Sequence, residues 1–186
     1  MKKDEIKWDK RYASNKIPIT PTSTVVAHFK AATAGTALDI AAGNCRNSVF
    51  LAENGFTVDA VDISSVGLEL QKEVKHPIHR IHQDLDEYSI KENHYDLIIN
   101  INFLDRRLFP DILKGLKPNG VLIFETFMDP RLVGRELIPS KRDQYLDSNE
   151  LLHAFLELTI INYKEEKIAF SNGDPIMKAT LVGRKK

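Results

Sequence analysis

The 186-residue sequence is poor in cysteine. Its one thiol, Cys45, cannot close an internal disulfide, and no CxxC or paired Cys/His spacing suggests a structural zinc site. A reducing compartment is the default expectation. Charge of either sign is also not in excess, since 26 Lys and Arg balance 26 Asp and Glu. Non-specific nucleic-acid binding usually shows as a basic surplus, so no nucleic-acid partner is expected. Long apolar runs are missing too. The stretch from Leu97 to Leu104 is far too short to span a bilayer, so no membrane partner is expected. The opening MKKDEIKWDK is charged and lacks the apolar core of a secretory signal. These absences lead to an expectation of a cytoplasmic protein; the sequence leaves its oligomeric state, monomer or homodimer, open. No internal repeat or low-complexity tract is visible. What remains, 42% hydrophobic and 28% charged residues, is ordinary globular composition with enough apolar mass for a substantial core.

The first thirty residues read as an appendage. Lys2 to Tyr12 suits a short helix with Trp8 and Tyr12 at i, i+4. Ile17-Pro18-Ile19-Thr20-Pro21 must be extended, because proline disfavours helix in the residue before it. Pro21 to Ala32 reads as a second helix with a stripe of Val25, Val26 and Phe29. From Thr36 onward strand and helix alternate. The expected strands are Ala37–Ile40, Thr57–Asp62, Ile78–His82, Tyr95–Asn102, Val121–Phe127, Leu158–Tyr163 and Met177–Val182. Helices are expected over Asn47–Asn54 with Gly55 as cap, from Ser64 or Ser65 to about Val74, over Arg107–Leu116, and over Asp147–Phe155. Lys117-Pro118-Asn119-Gly120 should break the third of these. Asp147 and Glu150 form a capping-box pattern at the start of the fourth.

Such alternation predicts an α/β protein, a doubly wound and mostly parallel sheet. Ligands on these sheets sit beyond the carboxyl ends of the strands, where strand order reverses. Asp39, Asp62, Asp84, Asn100 to Asn102 and Glu125 to Phe127 are the strand-end residues. The first loop, Ala41-Ala42-Gly43, is small enough for a sharp turn and a close ligand approach. A dinucleotide fingerprint wants G-x-G-x-x-G, with a small residue where this chain has Arg46. Asp39, just ahead of the turn, would repel a pyrophosphate. It would attract a ligand that carries an ammonium and a sulfonium, as S-adenosylmethionine (SAM) does. Asp62 lies about 20 residues beyond the turn, the spacing at which an acid meets a ribose. Asp84 could accept from an exocyclic amino group, or belong with Asp86 to a solvated acidic loop.

At this point the residues resemble a known family. Ala37-Leu38-Asp39-Ile40-Ala41-Ala42-Gly43-Asn44-Cys45-Arg46-Asn47 looks like the first motif of class I SAM-dependent methyltransferases, with Ala41 and Cys45 in place of the usual glycines. Trp8-Asp9-Lys10-Arg11-Tyr12, Val58 to Ser64, Tyr95 to Ile99, Asn102 to Pro110 and Leu116 to Phe127 resemble small bacterial enzymes of the tellurite-resistance and thiopurine type. The resemblance implies one Rossmann-like domain over 1–186, with residues 1–34 as a helical lid and 35–186 as a core of seven strands, the last antiparallel. It implies that Asp39 and Gly43 border the methionyl part of SAM, with Ala41 and Arg46 of the same turn also among the cofactor-binding residues. Asp62 would hold the ribose, Ile63 would pack on adenine, and Asp84 and Leu85 would meet the adenine edge. Asn100 and Ile101 would lie beneath the methionyl group, and Trp8, Arg11 and Tyr12 would fold over the cofactor.

The expected function is methyl transfer to a small-molecule acceptor. A SAM-binding sensor or partner module is the first alternative, and a nicotinamide-dependent oxidoreductase the second. No catalytic constellation is visible, and none is needed for displacement on a carbon activated by a sulfonium. The segment from Met128 to Tyr145 carries Arg131, Arg135, Lys141 and Arg142 and is long enough to be a binding loop or a solvated one. Arg106, Arg135 and Tyr145 are the substrate-side candidates. Cys45 near a helix start reads as packing rather than nucleophile. His76, His79 and His82 do not make a metal set, because neighbouring strand side chains alternate and Pro77 interrupts the run.

Overall fold

The apolar runs between Thr36 and Arg184 pair into one seven-stranded sheet in the computed structural model, which describes residues 2–14, 17–71, 75–169 and 173–186. The strands are β1 (Thr36–Ile40), β2 (Thr57–Asp62), β3 (Ile78–His82), β4 (Tyr95–Ile101), β5 (Leu116–Phe127), β6 (Thr159–Ala169) and β7 (Pro175–Arg184). Their order is β3-β2-β1-β4-β5-β7-β6. β1 to β5 run parallel, and β7 is antiparallel to both β5 and β6. Chain order reverses between β1 and β4, so the ligand crevice of a doubly wound sheet opens at their carboxyl ends.

The helices are α1 (Lys2–Ala13), α2 (Ser23–His28), α3 (Arg46–Glu53), α4 (Ser65–Glu69), α5 (Phe109–Gly115) and α6 (Glu150–Ala154). Alternate strand residues point to opposite faces, so the core divides in two. On one face Val25, Val49 and Leu68, from α2, α3 and α4, pack with Leu97, Ile99 and Ile123. On the other, Ile112 and Leu151, from α5 and α6, pack with Leu38, Ile98 and Phe124. Among the described residues no helix is long and apolar enough to cross a membrane.

Some local expectations differ from what forms. Lys117 to Gly120 ends α5 but does not leave the sheet. It is the bulged start of β5, between the pairs Tyr95↔Leu116 and Leu97↔Val121. Pro118 sits in this irregularity, where proline's missing N–H is tolerated, and Asn119 adopts a left-handed φ of 65°. The capping box at 147–150 forms by half. Glu150 Oε2 accepts the Asp147 amide at 2.8 Å. The Asp147 carboxylate instead pairs with Arg142 at 2.5 Å, and Asn149 precedes the helix in a left-handed conformation. α4 is shorter than expected, and the expected part over 72–74 lies outside the described residues. Gly55, at φ 92°, does terminate α3, and Ser64 caps α4 by accepting the Gly67 amide at 3.0 Å.

Candidate functional site

The turn from β1 into α3 is the centre of the site. Ala41, Gly43 and Cys45 take left-handed φ values of 53°, 59° and 60°. These are the positions where the resembling motif has glycines. The replacements keep the glycine backbone shape, at roughly 1–2 kcal/mol of steric cost for each side chain. Cys45 recovers part of this by burying its side chain in the core. Burial, followed by the charge of Asp39, pushes its thiol up to about 12, so it stays protonated and is no nucleophile.

Asp39 is buried beneath this turn, and Ser48 Oγ of α3 donates to its Oδ2 at 2.6 Å. Burial raises the Asp39 carboxyl to about 7, against the Ser48 hydrogen bond and with help from the charge of Asp62. Asp62, at the end of β2, is also buried. Its Oδ2 accepts the Gly43 amide at 2.8 Å and its Oδ1 the Ser64 amide at 2.8 Å. Burial outweighs these donors and leaves the Asp62 carboxyl above its ordinary range. Two buried carboxylates of raised basicity thus flank a turn whose own amides are spent inside the protein, Ala42's on Val61 O, Gly43's on Asp62 and Cys45's on Ala42 O. That pairing suits a cationic ligand with vicinal hydroxyls better than a pyrophosphate.

α1 lies across this turn. Asp9 Oδ1 accepts Ser64 Oγ at 2.6 Å and the Val66 amide at 3.3 Å, which docks α1 on the start of α4. Tyr12 stands over the glycines. A β-carbon on Gly43 would collide with its hydroxyl, and one on Gly67 would lie 2.9 Å from its ring. Burial, then the charge of Asp62, raises its phenol. Trp8 stacks on Tyr12 with ring centroids 6.1 Å apart, and Arg11 lies 5.2 Å over Trp8. Arg46 Nη2 donates to Thr22 Oγ1 at 3.1 Å, and Asn47 Oδ1 accepts the Thr22 amide at 2.8 Å, fastening the start of α2 beside the turn.

Ile63 follows Asp62, is half-buried and joins neither core cluster. Leu85 packs on the α5 face, and Asp84 Oδ1 accepts the Asp86 amide at 3.1 Å. Asn100 is buried and donates to Phe103 O at 2.7 Å, while Ile101 ends β4 on the α3 face. The structure therefore gathers Asp39, Ala41, Gly43, Arg46 and Asp62 around one turn. Ile63, Asp84, Leu85, Asn100 and Ile101 stand at the carboxyl ends of β2, β3 and β4.

Of the substrate-side candidates, Arg106 and the backbone of Tyr145 meet, while Arg135 pairs elsewhere. Arg106 donates to Glu150 at 2.5 and 2.9 Å and to the carbonyls of Asp143 and Tyr145 at 3.0 and 2.9 Å. It clamps the 139–146 segment. Arg135 binds Pro175 O at 3.2 Å and pairs with Asp174 at 3.5 Å. His79 turns to Asp59 at 3.0 Å, whereas His82 meets Ile63 O at 3.0 Å and Glu5 at 3.3 Å.

Sequence reasoning named Glu125 among the strand-end residues but missed the polar group built around it. At the carboxyl end of β5, Glu125 is buried and accepts from Thr24 Oγ1 and, at 2.7 Å, from Lys178 Nζ. Burial alone would raise its carboxyl, but Lys178 and Thr24 hold it below the ordinary range. Asp9, Thr22 and Ser48 were also missed as partners. No short-range signal marks them, because they come together only in the fold.

This strand order, with an acid under a left-handed turn and a second acid at the end of β2, is that of the class I SAM-dependent methyltransferase fold. The family model described as tellurite resistance protein TehB matches residues 5–125, and the chain belongs to that family. TehB from Haemophilus influenzae superposes with a TM-score of 0.77 at 23% identity, over 98% of this chain and 67% of that one. YqeM, a candidate methyltransferase of Bacillus subtilis, is 28% identical over 69% of this chain, and the match spans 58% of YqeM's length. A Haemonchus contortus phosphoethanolamine N-methyltransferase, solved with phosphomonomethylethanolamine and S-adenosylhomocysteine, gives a TM-score of 0.67 at 17% identity, over 90% of this chain and 54% of that one.

Proposed function

We propose that this chain transfers a methyl group from SAM to a small-molecule acceptor. The observation that carries the reading is Asp39. It is a buried carboxylate at the switch point, and its hydrogen-bond donor among the described residues is the neutral Ser48. Such a group calls for a cationic ligand. The left-handed turn at 41, 43 and 45 lets that ligand approach the backbone closely. Asp39, Ala41, Gly43 and Arg46 would hold the aminocarboxylate end and Asp62 the ribose. Ile63, Asp84 and Leu85 would border the adenine, with Asn100 and Ile101 forming the floor. Residues 1–34 would act as a lid, with Trp8, Arg11 and Tyr12 above the cofactor.

When bound, SAM supplies a methyl carbon already activated by the sulfonium. The residues of this chain need to orient that carbon, exclude water and hold the acceptor in line. A lone-pair nucleophile on an anion or thiolate needs no general base. Tellurite, which appears in the description of the family, is the first acceptor to try. The balanced charge favours a small substrate over a nucleic acid. The test is S-adenosylhomocysteine release in the presence of SAM with tellurite, selenite and small thiols. Turnover with any of them supports the enzyme. SAM binding without turnover on a broad panel would favour a sensor or partner module. NAD binding without SAM binding would overturn the reading of Asp39.

A further inference from the structure

The Glu125 cluster lies next to the proposed cofactor floor. Glu125 is the register partner of Ile101, and paired residues share a face of the sheet. The Asn102 amide donates to Glu125 O at 2.7 Å, which ties the exit of β4 to this point. On β7, Lys178 pairs with Phe127, the last residue of β5. The cluster therefore occupies the carboxyl edge on the β5–β7 side, away from Asp39 and Asp62. α2 joins the two sides, through Thr22 to Arg46 and Asn47, and through Thr24 to Glu125.

A buried ion pair seldom repays its desolvation, so its presence asks for a reason beyond stability. The two partners differ in what they have left to offer. Glu125 Oε2 accepts Thr24 Oγ1 and faces Thr180 Oγ1 at 3.5 Å, while Oε1 accepts Lys178. Lys178 is only 13% exposed and lies 4.9 Å over the Phe127 ring. Among the described residues it makes one hydrogen bond, to Glu125, out of the three its ammonium can donate. A spent carboxylate thus steers an ammonium with donors in reserve.

We propose that Lys178, positioned by Glu125 and Thr24, is the group that orients an anionic methyl acceptor at the β5–β7 end of the crevice. The inference rests on the methyltransferase reading above. Donors on Lys178 would take the oxygens of the acceptor and leave its nucleophilic lone pair facing the cofactor. No proton has to move. The methyl leaves the sulfonium, whose sulfur keeps the bonding pair, and the acceptor lone pair forms the new bond.

The test titrates tellurite and selenite, by calorimetry, into protein saturated with S-adenosylhomocysteine. Lys178→Met should weaken oxyanion binding by about tenfold or more, the scale of losing a charge-assisted hydrogen bond. Lys178→Arg should restore most of it, and SAM affinity should stay within about twofold in both. Lys178→Gln is the substitute if the methionine variant does not fold. Unchanged oxyanion affinity in the folded Met or Gln variant would overturn the assignment. So would wild-type protein that binds SAM but whose product complex ignores both oxyanions. Wild-type protein that binds neither SAM nor oxyanion would instead overturn the methyltransferase reading itself.

Discussion

On the β1–β2 side of the crevice the contacts of Asp39 and Asp62 themselves are close in sequence, whereas the α1 strap, through Asp9 to Ser64, comes from afar. Ser48 is nine residues from Asp39, Gly43 nineteen from Asp62, and Ser64 two from Asp62. On the β5–β7 side Thr24 reaches Glu125 across 101 residues, and Lys178 reaches it across 53. The first side is one supersecondary unit whose shape is set by its own turn. The second is assembled from α2, β5 and β7 and exists only when the whole sheet has closed. The difference suggests a division of labour. A shared cofactor can be served by a fixed local unit, while acceptor preference can change through distant parts without disturbing that unit.

The comparison can be broken most severely at Glu125. Glu125→Ala would leave the Lys178 ammonium buried without its counter-ion, and stability should fall by about 3 kcal/mol in urea unfolding. A loss below about 1 kcal/mol would mean that the pair is solvated and that the β5–β7 side is not a built cluster.

The β1–β2 side can be probed through pH. The folded Asp39 carboxyl titrates near 7, above its ordinary value of 3.8. The folded state therefore holds the proton more tightly than the unfolded state. Asp39's contribution to stability is full below its unfolded pKa and is lost as pH rises through about 7. SAM affinity should run the other way, rising about tenfold per pH unit below 7 and flattening above it, because the ammonium needs the charged carboxylate. Asp39→Asn should remove both dependences. A wild-type SAM affinity that is flat from pH 5.5 to 8 would contradict the role of Asp39.

Arg106→Ala should act on the loop alone. The loss in global stability should be about 1 kcal/mol or less, since the guanidinium is over a third exposed. Hydrogen exchange should quicken over 139–146, with SAM affinity unchanged. A marked drop in SAM affinity would mean that the loop serves the β1–β2 side as well. The smallest effect is expected at Ala41→Gly. Relief of the left-handed strain is offset by the greater chain entropy of glycine, leaving a gain of at most about 1 kcal/mol. A loss of stability would show that the Ala41 methyl packs more productively than its φ suggests.

The strand and helix spans and the small-residue turn after β1 were legible in the sequence because their signals are local, whereas the seven-stranded sheet with its last strand antiparallel came from the family resemblance. The apolar strands alternate with helical stripes, and an acid precedes a small-residue turn at fixed spacing from a second acid. Ser64 as cap and Gly55 as terminator follow from the same short-range chemistry. The bulged start of β5 was missed because Pro118 and Gly120 signal a break equally well when the break lies inside a strand. The half-formed capping box was missed because Arg142 competes for the Asp147 carboxylate from outside the motif. Arg106 looked available for a substrate, yet its donors go to Glu150 and the 139–146 segment, contacts that no local pattern announces. Glu125, Thr24 and Lys178 belong with these. Glu125 was legible as a strand-end acid, but Thr24 and Lys178 each read alone as an unremarkable helix or strand residue.

The central claim is that Asp62 and the β1 turn hold a SAM molecule. Calorimetric titration of SAM into the wild-type protein and the Asp62→Ala variant tests it directly. The wild type should bind, and the variant should lose about 1–3 kcal/mol of affinity, the scale of hydrogen bonds to a charged group. Equal affinity in the two proteins would contradict the account.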